Sequence, residues 1–326
     1  MKLFNTIDLF AGVGGIRLGF ERAGFKTVFA NDFDNSCKST YDLNFKDPKL
    51  TIQDIWKIDI NTLPEFNILL GGFPCQAFSI AGYRKGFRDE KGRGNLFFKI
   101  AEILEERKPE AFLLENVKNL KTHDNGKTFK IIKKTLEKLG YHIKAEILNS
   151  MTHGNLPQNR ERIFIVGFLD KHRTNAFDFP KPISLTKNFR EFTAEKADPK
   201  YYYNDKPLYE KIKNDVNSEY TVYQWRRKYV RANKKGVVPT LTANMGRGGH
   251  NVPIIKNTIG VRKLTPRECF LLQGFPETFK LPEDISDSNL YHQAGNSVTI
   301  PVVQRIAENM MVVLNGERIN SQTILF

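Results

Sequence analysis

The sequence has few cysteines and no hydrophobic run long enough to cross a membrane. Only three cysteines, Cys37, Cys75 and Cys269, occur in 326 residues, and they lie far apart with no Cys-x-x-Cys spacing. This excludes a disulfide framework and a cysteine-based zinc site. The histidines form no ligand pattern, so no metal is expected. Because a stretch of about 18 apolar residues and a secretory signal pattern are both missing, we expect a soluble, cytoplasmic protein.

Acidic residues are also scarce relative to basic ones. There are 36 Asp and Glu against 50 Lys and Arg, which gives a formal net charge of +14. The excess is uneven, because the range 221–262 holds nine basic residues and no acidic residue. Positive charge concentrated in this way suits a protein that binds a polyanion. The nine residues are Arg226, Arg227, Lys228, Arg231, Lys234, Lys235, Arg247, Lys256 and Arg262.

The first half of the chain alternates short apolar runs with amphipathic stretches. This pattern is typical of βαβ units around a mostly parallel sheet, so the fold class predicted is α/β. The range 127–139 has apolar residues at helical spacing and is followed by Gly140, which predicts a helix with a glycine C-cap. The predicted strands are Thr6 to Phe10, Thr27 to Asn31, Ile68 to Gly71, Ala111 to Glu115 and Arg162 to Phe168.

The hydrophobic pattern and the composition of the sequence change near residue 185. Alternation is lost there, and polar sequence rich in Tyr and Lys follows. We therefore predict one domain from 1–185 together with 285–326, and a second, mostly irregular or β domain from 186–284. The range 298–313 predicts a closing amphipathic helix, with Asn296 and Ser297 as its N-cap.

The first predicted strand leads into a glycine-rich turn. Gly12 and Gly14 would let this turn approach a ligand and leave helix N–H groups free, although a tight turn without a ligand needs the same glycines. Asp32, at the end of the next strand, favours the ligand because a carboxylate there bonds ribose hydroxyls. The spacing is not Gly-x-Gly-x-x-Gly. It therefore predicts a site for adenosine without a pyrophosphate, with Asp54 at the adenine amino group, and AdoMet is such a ligand.

Three further segments place reactive side chains near strand ends. Cys75 follows a strand and a Gly-Gly-Phe-Pro turn, and it precedes the basic, glycine-rich range 79–95, which is either a lid over a polyanion or a plain surface loop. Glu115 ends an apolar strand, where partial burial favours the protonated acid. Arg160 and Arg162 precede another apolar strand, and solvated charges at a strand entry are an alternative interpretation of them.

Taken in order, six segments resemble the motif series of the cytosine-5 DNA methyltransferases of bacterial restriction-modification systems. They are DLFAGVGG, GGFPCQAFS, LLENV, PQNRER, RKLTPRECFLLQGFP and QAGNSV, and the resemblance covers residues 3 to about 168 and 262 to 313. The resemblance implies a Rossmann-like, AdoMet-dependent large domain to which the C-terminal helix returns. It also implies a small target-recognition domain in the basic middle region and double-stranded DNA as the substrate.

The resemblance assigns roles to individual residues. Cys75 corresponds to the nucleophile and Glu115 to the acid, while Arg160 and Arg162 match a motif whose second arginine lies at the target base. The cofactor-pocket positions are Phe10, Gly12, Gly14, Asp32, Phe33, Asp54, Ile55, Pro74, Asn296 and Val298. The expected DNA contacts are Ser79, Arg84, Arg88, Arg226, Arg227, Arg231, Thr240 and Arg247.

The implied reaction is methylation at C5 of a flipped-out cytosine within a short DNA sequence, through a covalent bond between Cys75 and C6. The expected protein is a monomer that protects host DNA from a cognate endonuclease without binding it. Two alternatives are an RNA cytosine-5 methyltransferase and a catalytically silent DNA-binding relative. The RNA branch carries a Cys-Phe-Thr tripeptide that is missing here, and the intact Pro-Cys-Gln and Glu-Asn-Val segments argue against a silent copy.

Overall fold

The computed structural model describes residues 3–74, 96–233, 236–245 and 251–317. These residues form two compact units. The first comprises Met1–Leu148, Glu161–Lys181 and Val302–Phe326, and the second comprises Asn149–Arg160 and Pro182–Pro301. Among the described helices, none has the length and apolar character needed to span a bilayer.

The strands are short, as is usual for α/β proteins. In chain order they are β1 (Asn5–Leu9), β2 (Lys26–Asp32), β3 (Thr51–Ile52), β4 (Ile68–Gly71), β5 (Ala111–Val117), β6 (His142–Asn149), β7 (Gln158–Asn159), β8 (Glu161–Phe168), β9 (Val222–Trp225), β10 (Val230–Asn233), β11 (Val238–Pro239), β12 (Ile254–Lys256) and β13 (Val261–Lys263).

The helices are numbered in the same way, leaving aside isolated 3-10 turns. They are α1 (Gly15–Arg22), α2 (Lys38–Asn44), α3 (Leu96–Arg107), α4 (Lys127–Lys138), α5 (Ser150–Gly154), α6 (Lys171–Ala176), α7 (Tyr209–Ile212), α8 (Pro266–Leu272), α9 (Asp287–Asn296) and α10 (Ile300–Leu314).

The first unit is built on a seven-stranded sheet with the order β3-β2-β1-β4-β5-β8-β6. The pairs from β3 to β5 are parallel, and β8 pairs antiparallel with β5. The chain runs outward from β1 to β3 and then returns to start β4 on the other side of β1. Open α/β sheets bind ligands at the carboxyl ends of strands where the order reverses in this way. A site is therefore expected where β1 and β4 end.

The five predicted strands and the predicted helix are confirmed, with ends that shift by one or two residues. These strands are almost continuously apolar because both faces of the sheet are covered, and Ile7, Leu69 and Phe112 from three of them are fully buried in one core. The helix α4 packs Ile132 into the same core and ends before Gly140, whose φ of +93° is the left-handed conformation that glycine favours.

The second unit contains a four-stranded antiparallel sheet with the order β10-β9-β12-β13. Its small core includes Tyr203, Ile212, Tyr223, Ile254 and Val261. A separate parallel pair joins β7 to β11. The closing helix α10 begins at Ile300. The expectation that Asn296 and Ser297 cap it is therefore wrong, because these residues end α9.

A buried carboxyl group in β1 makes the stability of the first unit depend on pH. Asp8 is fully buried, and burial raises its pKa from 3.8 to about 7, although Arg17 opposes the shift. A folded-state pKa above the unfolded value means that the folded chain retains the proton longer. This contribution to stability is present below pH 4 and is lost as the pH rises to 7, by about 1.4 kcal/mol per unit of pKa difference.

We therefore expect Asp8→Asn to flatten the pH dependence of unfolding, since the amide carries no charge at any pH. Relative to the wild type, the variant should gain stability between pH 4.5 and 7.5. Urea unfolding at both pH values measures the difference. Equal slopes of unfolding free energy against pH for the two proteins would show that Asp8 is ionised in the folded state.

Candidate active site at the sheet edge

The turn after β1 is shaped by residues in the left-handed region. Phe10, Gly12 and Gly14 have φ angles of +58°, +55° and +83°. A Cβ atom on Gly14 would lie 2.3 Å from the ring of Phe45, so glycine is needed there for packing. A Cβ atom on Gly12 would meet no heavy atom within 4 Å. The turn therefore leaves open space in front of Gly12, which suits a ligand that approaches the backbone closely.

Asp32 fixes this turn to the end of β2. One carboxylate oxygen accepts a hydrogen bond of 2.8 Å from the Gly12 N–H, and the other accepts one of 2.8 Å from the Asp34 N–H. Burial raises the pKa of Asp32, and the backbone N–H groups act in the opposite direction. A carboxylate has about four acceptor sites and three backbone N–H groups bond this one, so Asp32 can still accept a bond from a ligand hydroxyl.

The other predicted cofactor positions in the first unit differ in exposure. Phe33 is 78% exposed, which is unusual for a large aromatic side chain and leaves its ring available for stacking. Asp54 is exposed and accepts a 3.1 Å bond from the Trp56 N–H at the start of a 3-10 turn. Ile55 is only 3% exposed because it packs in the core, whereas Pro74 is exposed at the end of the described segment.

Glu115 and Arg162 meet at the carboxyl end of β5. The antiparallel register pairs Val117 with Arg162, and the Arg162 Nε atom lies 3.0 Å from Glu115 Oε1. Glu115 is 8% exposed. Its other oxygen would lie 3.7 Å from a Cβ atom on Gly72, so the segment after β4 passes next to the carboxylate. The fold thus brings together an acid, a cation and the segment that leads into Cys75.

Asn116 makes a contact at the site that its sequence motif does not indicate. Its side chain is buried, and Nδ2 donates a 2.8 Å hydrogen bond to the carbonyl oxygen of Phe73. The side-chain oxygen accepts a 2.8 Å bond from the Val117 N–H. Asn116 therefore holds the backbone two residues before Cys75. Its place in the Glu-Asn-Val segment is the only sequence signal, and it does not reveal a partner in a distant turn.

Loss of this bond should misplace the segment before Cys75. We expect Asn116→Ala to lower turnover by up to about 100-fold, the cost of a displacement near 1 Å at a reacting group. Steady-state methylation assays measure this, and the DNA dissociation constant should remain within twofold of the wild type. Asn119→Ala is the matched control, because Asn119 is exposed in the 3-10 turn that directly follows β5. Equal activity of the two variants would show that Asn116 has no positioning role.

Arg160 bonds two backbone segments of the second unit, the one at Leu241 and the end of α9. Its buried guanidinium donates to the carbonyl oxygens of Leu241, Gly295 and Ser297, with a distance of 2.6 Å to Leu241. Gln158 binds the same segment, since its side-chain oxygen accepts a 3.1 Å bond from the Leu241 N–H. These contacts indicate that Arg160 positions the backbone around it.

The predicted cofactor positions in the second unit lie at the end of α9. Asn296 Nδ2 lies 3.0 Å from Nε2 of His292, and Nδ1 of His292 lies 2.8 Å from the carbonyl oxygen of Ala243. This places the ring proton on Nδ1, so that Nε2 accepts from the amide. His292 thereby orients the Asn296 side chain. Val298 is buried.

The second unit also contains a polar cleft of about 480 Å³. Three predicted DNA-binding residues, Arg226, Arg231 and Thr240, line it. Thr240 Oγ1 donates a 2.6 Å bond to the carbonyl oxygen of Asn159. Arg227 is exposed in the β9–β10 turn, with a φ of +66°. Cys75, Ser79, Arg84, Arg88 and Arg247 lie outside the described residues.

Comparison with known proteins identifies the family. The model of the C-5 cytosine-specific DNA methylase family matches residues 4–312. The chain belongs to this family. The predicted family and enzyme class, a DNA cytosine-5 methyltransferase, are therefore confirmed.

Two relatives of this DNA methylase match along nearly their whole length. Type II methyltransferase M.Bsp6I of Bacillus sp. (strain RFL6) is 54% identical over 313 residues, which cover 94% of this chain and 98% of that protein. Type II methyltransferase M.HaeII of Haemophilus aegyptius is 44% identical over 317 residues, which cover 97% and 95%.

Solved structures support the α/β fold class that was predicted for the methylase. A mutant of Spodoptera frugiperda DNMT2 aligns with a TM-score of 0.73 at 19% identity, covering 94% of this chain and 99% of that chain. A putative DNA modification methyltransferase encoded within a prophage in E. coli aligns with a TM-score of 0.67 at 21% identity, covering 96% and 99%. At such identities the likeness concerns the fold alone.

Proposed function

We propose that this DNA methylase transfers a methyl group from AdoMet to C5 of a cytosine that is flipped out of double-stranded DNA. The cytosine lies in a short specific sequence, and Cys75 forms a transient bond to C6. One observation carries the proposal: Glu115 pairs with Arg162 at 3.0 Å, beside the segment that leads into Cys75. An acid and a cation at that place are what a pyrimidine ring needs while its C6 is attacked.

The sheet edge fits the adenosine part of AdoMet. The open space at Gly12 accepts a ligand against the backbone, Asp32 binds a ribose hydroxyl, and exposed Phe33 stacks on the adenine. Asp54 accepts from the adenine amino group. AdoMet, when bound, supplies an electrophilic methyl group on a sulfonium. The sequence assigns the remaining pocket positions, which are Phe10, Gly14, Ile55, Pro74, Asn296 and Val298.

Residues of the chain make C5 of cytosine reactive. The thiolate of Cys75 attacks C6, and the electron pair of the C5–C6 double bond becomes available at C5. Glu115 holds a proton at N3 and so neutralises the charge that enters the ring. After C5 has gained the methyl group, its proton passes to a base such as water. The C6–S bond then breaks, Cys75 leaves as a thiolate, and the N3 proton returns to Glu115.

Arg162 orients both the cytosine ring and the Glu115 carboxyl group. A guanidinium has five N–H donors, so it can bond O2 of the cytosine while it stays in contact with the Glu115 carboxyl group. The carboxyl group is thereby directed toward N3, the neighbour of O2 in the ring. Arg160 does not contact the cytosine but positions the surrounding backbone, because its donors are bound to backbone carbonyl groups.

The remaining parts of the proposal concern DNA. A stacked cytosine is inaccessible, so the nucleotide leaves the helix, and the basic segment with Ser79, Arg84 and Arg88 closes behind it. The range 186–284 acts as the target-recognition domain. We further propose a monomer in the bacterial cytoplasm that protects host DNA from a cognate endonuclease. Stable dimers in gel filtration would contradict the monomer.

The nature of the nucleic acid is tested by direct competition. The purified chain is incubated with AdoMet labelled in its methyl group, together with equal masses of bacterial plasmid DNA and total tRNA. The proposal predicts that the label enters DNA and is recovered as 5-methylcytosine. Recovery of the label in tRNA would favour the RNA alternative. Specific DNA binding without incorporation into either would favour a silent relative.

A further inference from the structure

We infer that one face of the β9–β10 hairpin reads base edges in the major groove, and that Arg226 and Arg231 on this face each recognise a guanine. The inference rests on the proposed function, because it specifies which DNA the methylase selects. It separates these two arginines from the other basic residues of the region.

The pairing of β9 with β10 places four polar side chains on the same face. Arg231 lies directly opposite Gln224 in the antiparallel register, so the two side chains share a face of the sheet. Side chains alternate along a strand, which puts Arg226 on the face of Gln224 and Asn233 on the face of Arg231. All four of these residues line the polar cleft.

The opposite face of the hairpin is occupied by the protein core. Tyr223 is buried in the small core of the second unit, and Trp225 and Val230 pack against it. The hairpin therefore cannot turn over, and its polar face is fixed toward the cleft. Such a two-stranded ribbon has dimensions that the major groove admits.

Among the described residues, the two arginine charges on this face have no ion-pair partner. Within the described ranges, neither the Arg226 nor the Arg231 guanidinium makes an ion pair or a side-chain hydrogen bond. Both residues are exposed, and the whole range 221–262 contains no acidic side chain that could neutralise them. Two guanidinium groups on one wall of a cleft are suited to bind a ligand that presents two adjacent hydrogen-bond acceptors to each of them. Guanine presents such a pair, O6 and N7, to the major groove.

The spacing of the two arginines restricts the sites they can read. Two residues along a strand cover about 6.6–6.8 Å, and facing strands are about 4.8 Å apart. Base pairs along DNA are about 3.4 Å apart. Arg226 and Arg231 are diagonal neighbours, so the guanines they contact should lie within about two base-pair steps.

The tip of the hairpin has a different character. Arg227 and Lys228 are exposed in the turn, and neither lines the polar cleft. Their charges are suited to phosphate groups, which attract cations without regard to sequence. Arg227 therefore offers a control that removes the same charge from the same hairpin.

The test is selection of bound duplexes from a randomised pool, followed by sequencing. The wild type, Arg226→Gln, Arg231→Gln and Arg227→Gln are compared, with thermal melting as a check of folding. We expect each of the first two variants to lose preference for guanine at one position by about tenfold or more. Arg227→Gln should keep the wild-type preference and bind all sequences more weakly. The slope of log binding constant against log salt concentration should become shallower by about one.

Methylation of the same pool, measured by bisulfite sequencing, separates this inference from the proposed function. If the wild type selects a guanine-containing sequence but methylates nothing, the proposed function is wrong, whereas the inference that Arg226 and Arg231 read guanines is supported. If the wild type methylates a specific sequence that Arg226→Gln and Arg231→Gln still prefer, the base-reading face is wrong. It is also wrong if the lost preference is for a base other than guanine, or if Arg227→Gln changes the preference in the same way.

Discussion

A Cys75→Ala variant should transfer no methyl group to DNA while it still binds the duplex. Without the thiolate there is no attack on C6, and unactivated C5 is a poor nucleophile. The expected loss of turnover is at least about 10⁴-fold, the scale on which removal of a covalent nucleophile acts. Single-turnover assays with labelled AdoMet measure the chemical step, and fluorescence anisotropy measures DNA binding.

Cys37→Ala is the matched control for this variant. Cys37 is buried, and burial raises the pKa of its thiol, which keeps it protonated and unreactive at neutral pH. The control should therefore retain methylation activity. Turnover of Cys75→Ala within tenfold of the wild type would refute the nucleophile, whereas loss of activity in both variants with intact folding would point to a general sensitivity to cysteine replacement.

Glu115→Gln should lower turnover by about 10²- to 10⁴-fold, the usual contribution of general acid catalysis. The amide has nearly the same shape as the acid and still bonds N3, but it cannot transfer a proton. It also replaces the carboxyl group that contacts Arg162 with an amide. Single-turnover rates at saturating DNA isolate the chemical step from binding, which should change much less.

Glu161→Gln controls for the loss of a carboxylate near Arg162. Glu161 precedes this arginine in β8 and pairs with Lys118 at the surface. A surface ion pair contributes little, so this variant should keep near wild-type turnover. If Glu115→Gln retained more than a third of the wild-type rate, another group would have to stabilise the charged ring.

The buried strands could be predicted because their sequences are almost continuously apolar. β4 and β5 are covered on both faces, so their sequences contain few polar residues before Glu115. β6 was missed for the opposite reason. It lies at the edge of the sheet, and only one of its residues, Leu148, is buried. Its mixed polar sequence resembles a surface segment.

The sheet of the second unit was predicted only as a mostly irregular or β region. Its strands have three or four residues each, which is too short for a period of two to stand out in the sequence. The polar face of the hairpin depends on the register that pairs Gln224 with Arg231. Register is set by packing of Tyr223 and Trp225 on the core, and the sequence does not display it.

Site residues could be predicted where they belong to a sequence motif. Glu115 and Arg162 were selected in this way, although their pairing follows from the antiparallel register of β5 and β8. The contacts of Asn116, Gln158 and Arg160 were not predictable. Their partners are mainly backbone groups of distant segments, and any residue type supplies such a group.

The most direct test is bisulfite sequencing of plasmid DNA from cells that express the chain, beside a Cys75→Ala control expressed at the same level. A sequence-specific methylase with Cys75 as its nucleophile protects cytosines from conversion at one recurrent short sequence that contains guanine, and the control protects none. Unmethylated plasmid DNA from cells that contain soluble, AdoMet-binding protein would contradict this expectation. Methylation that persists in the control would contradict the role of Cys75.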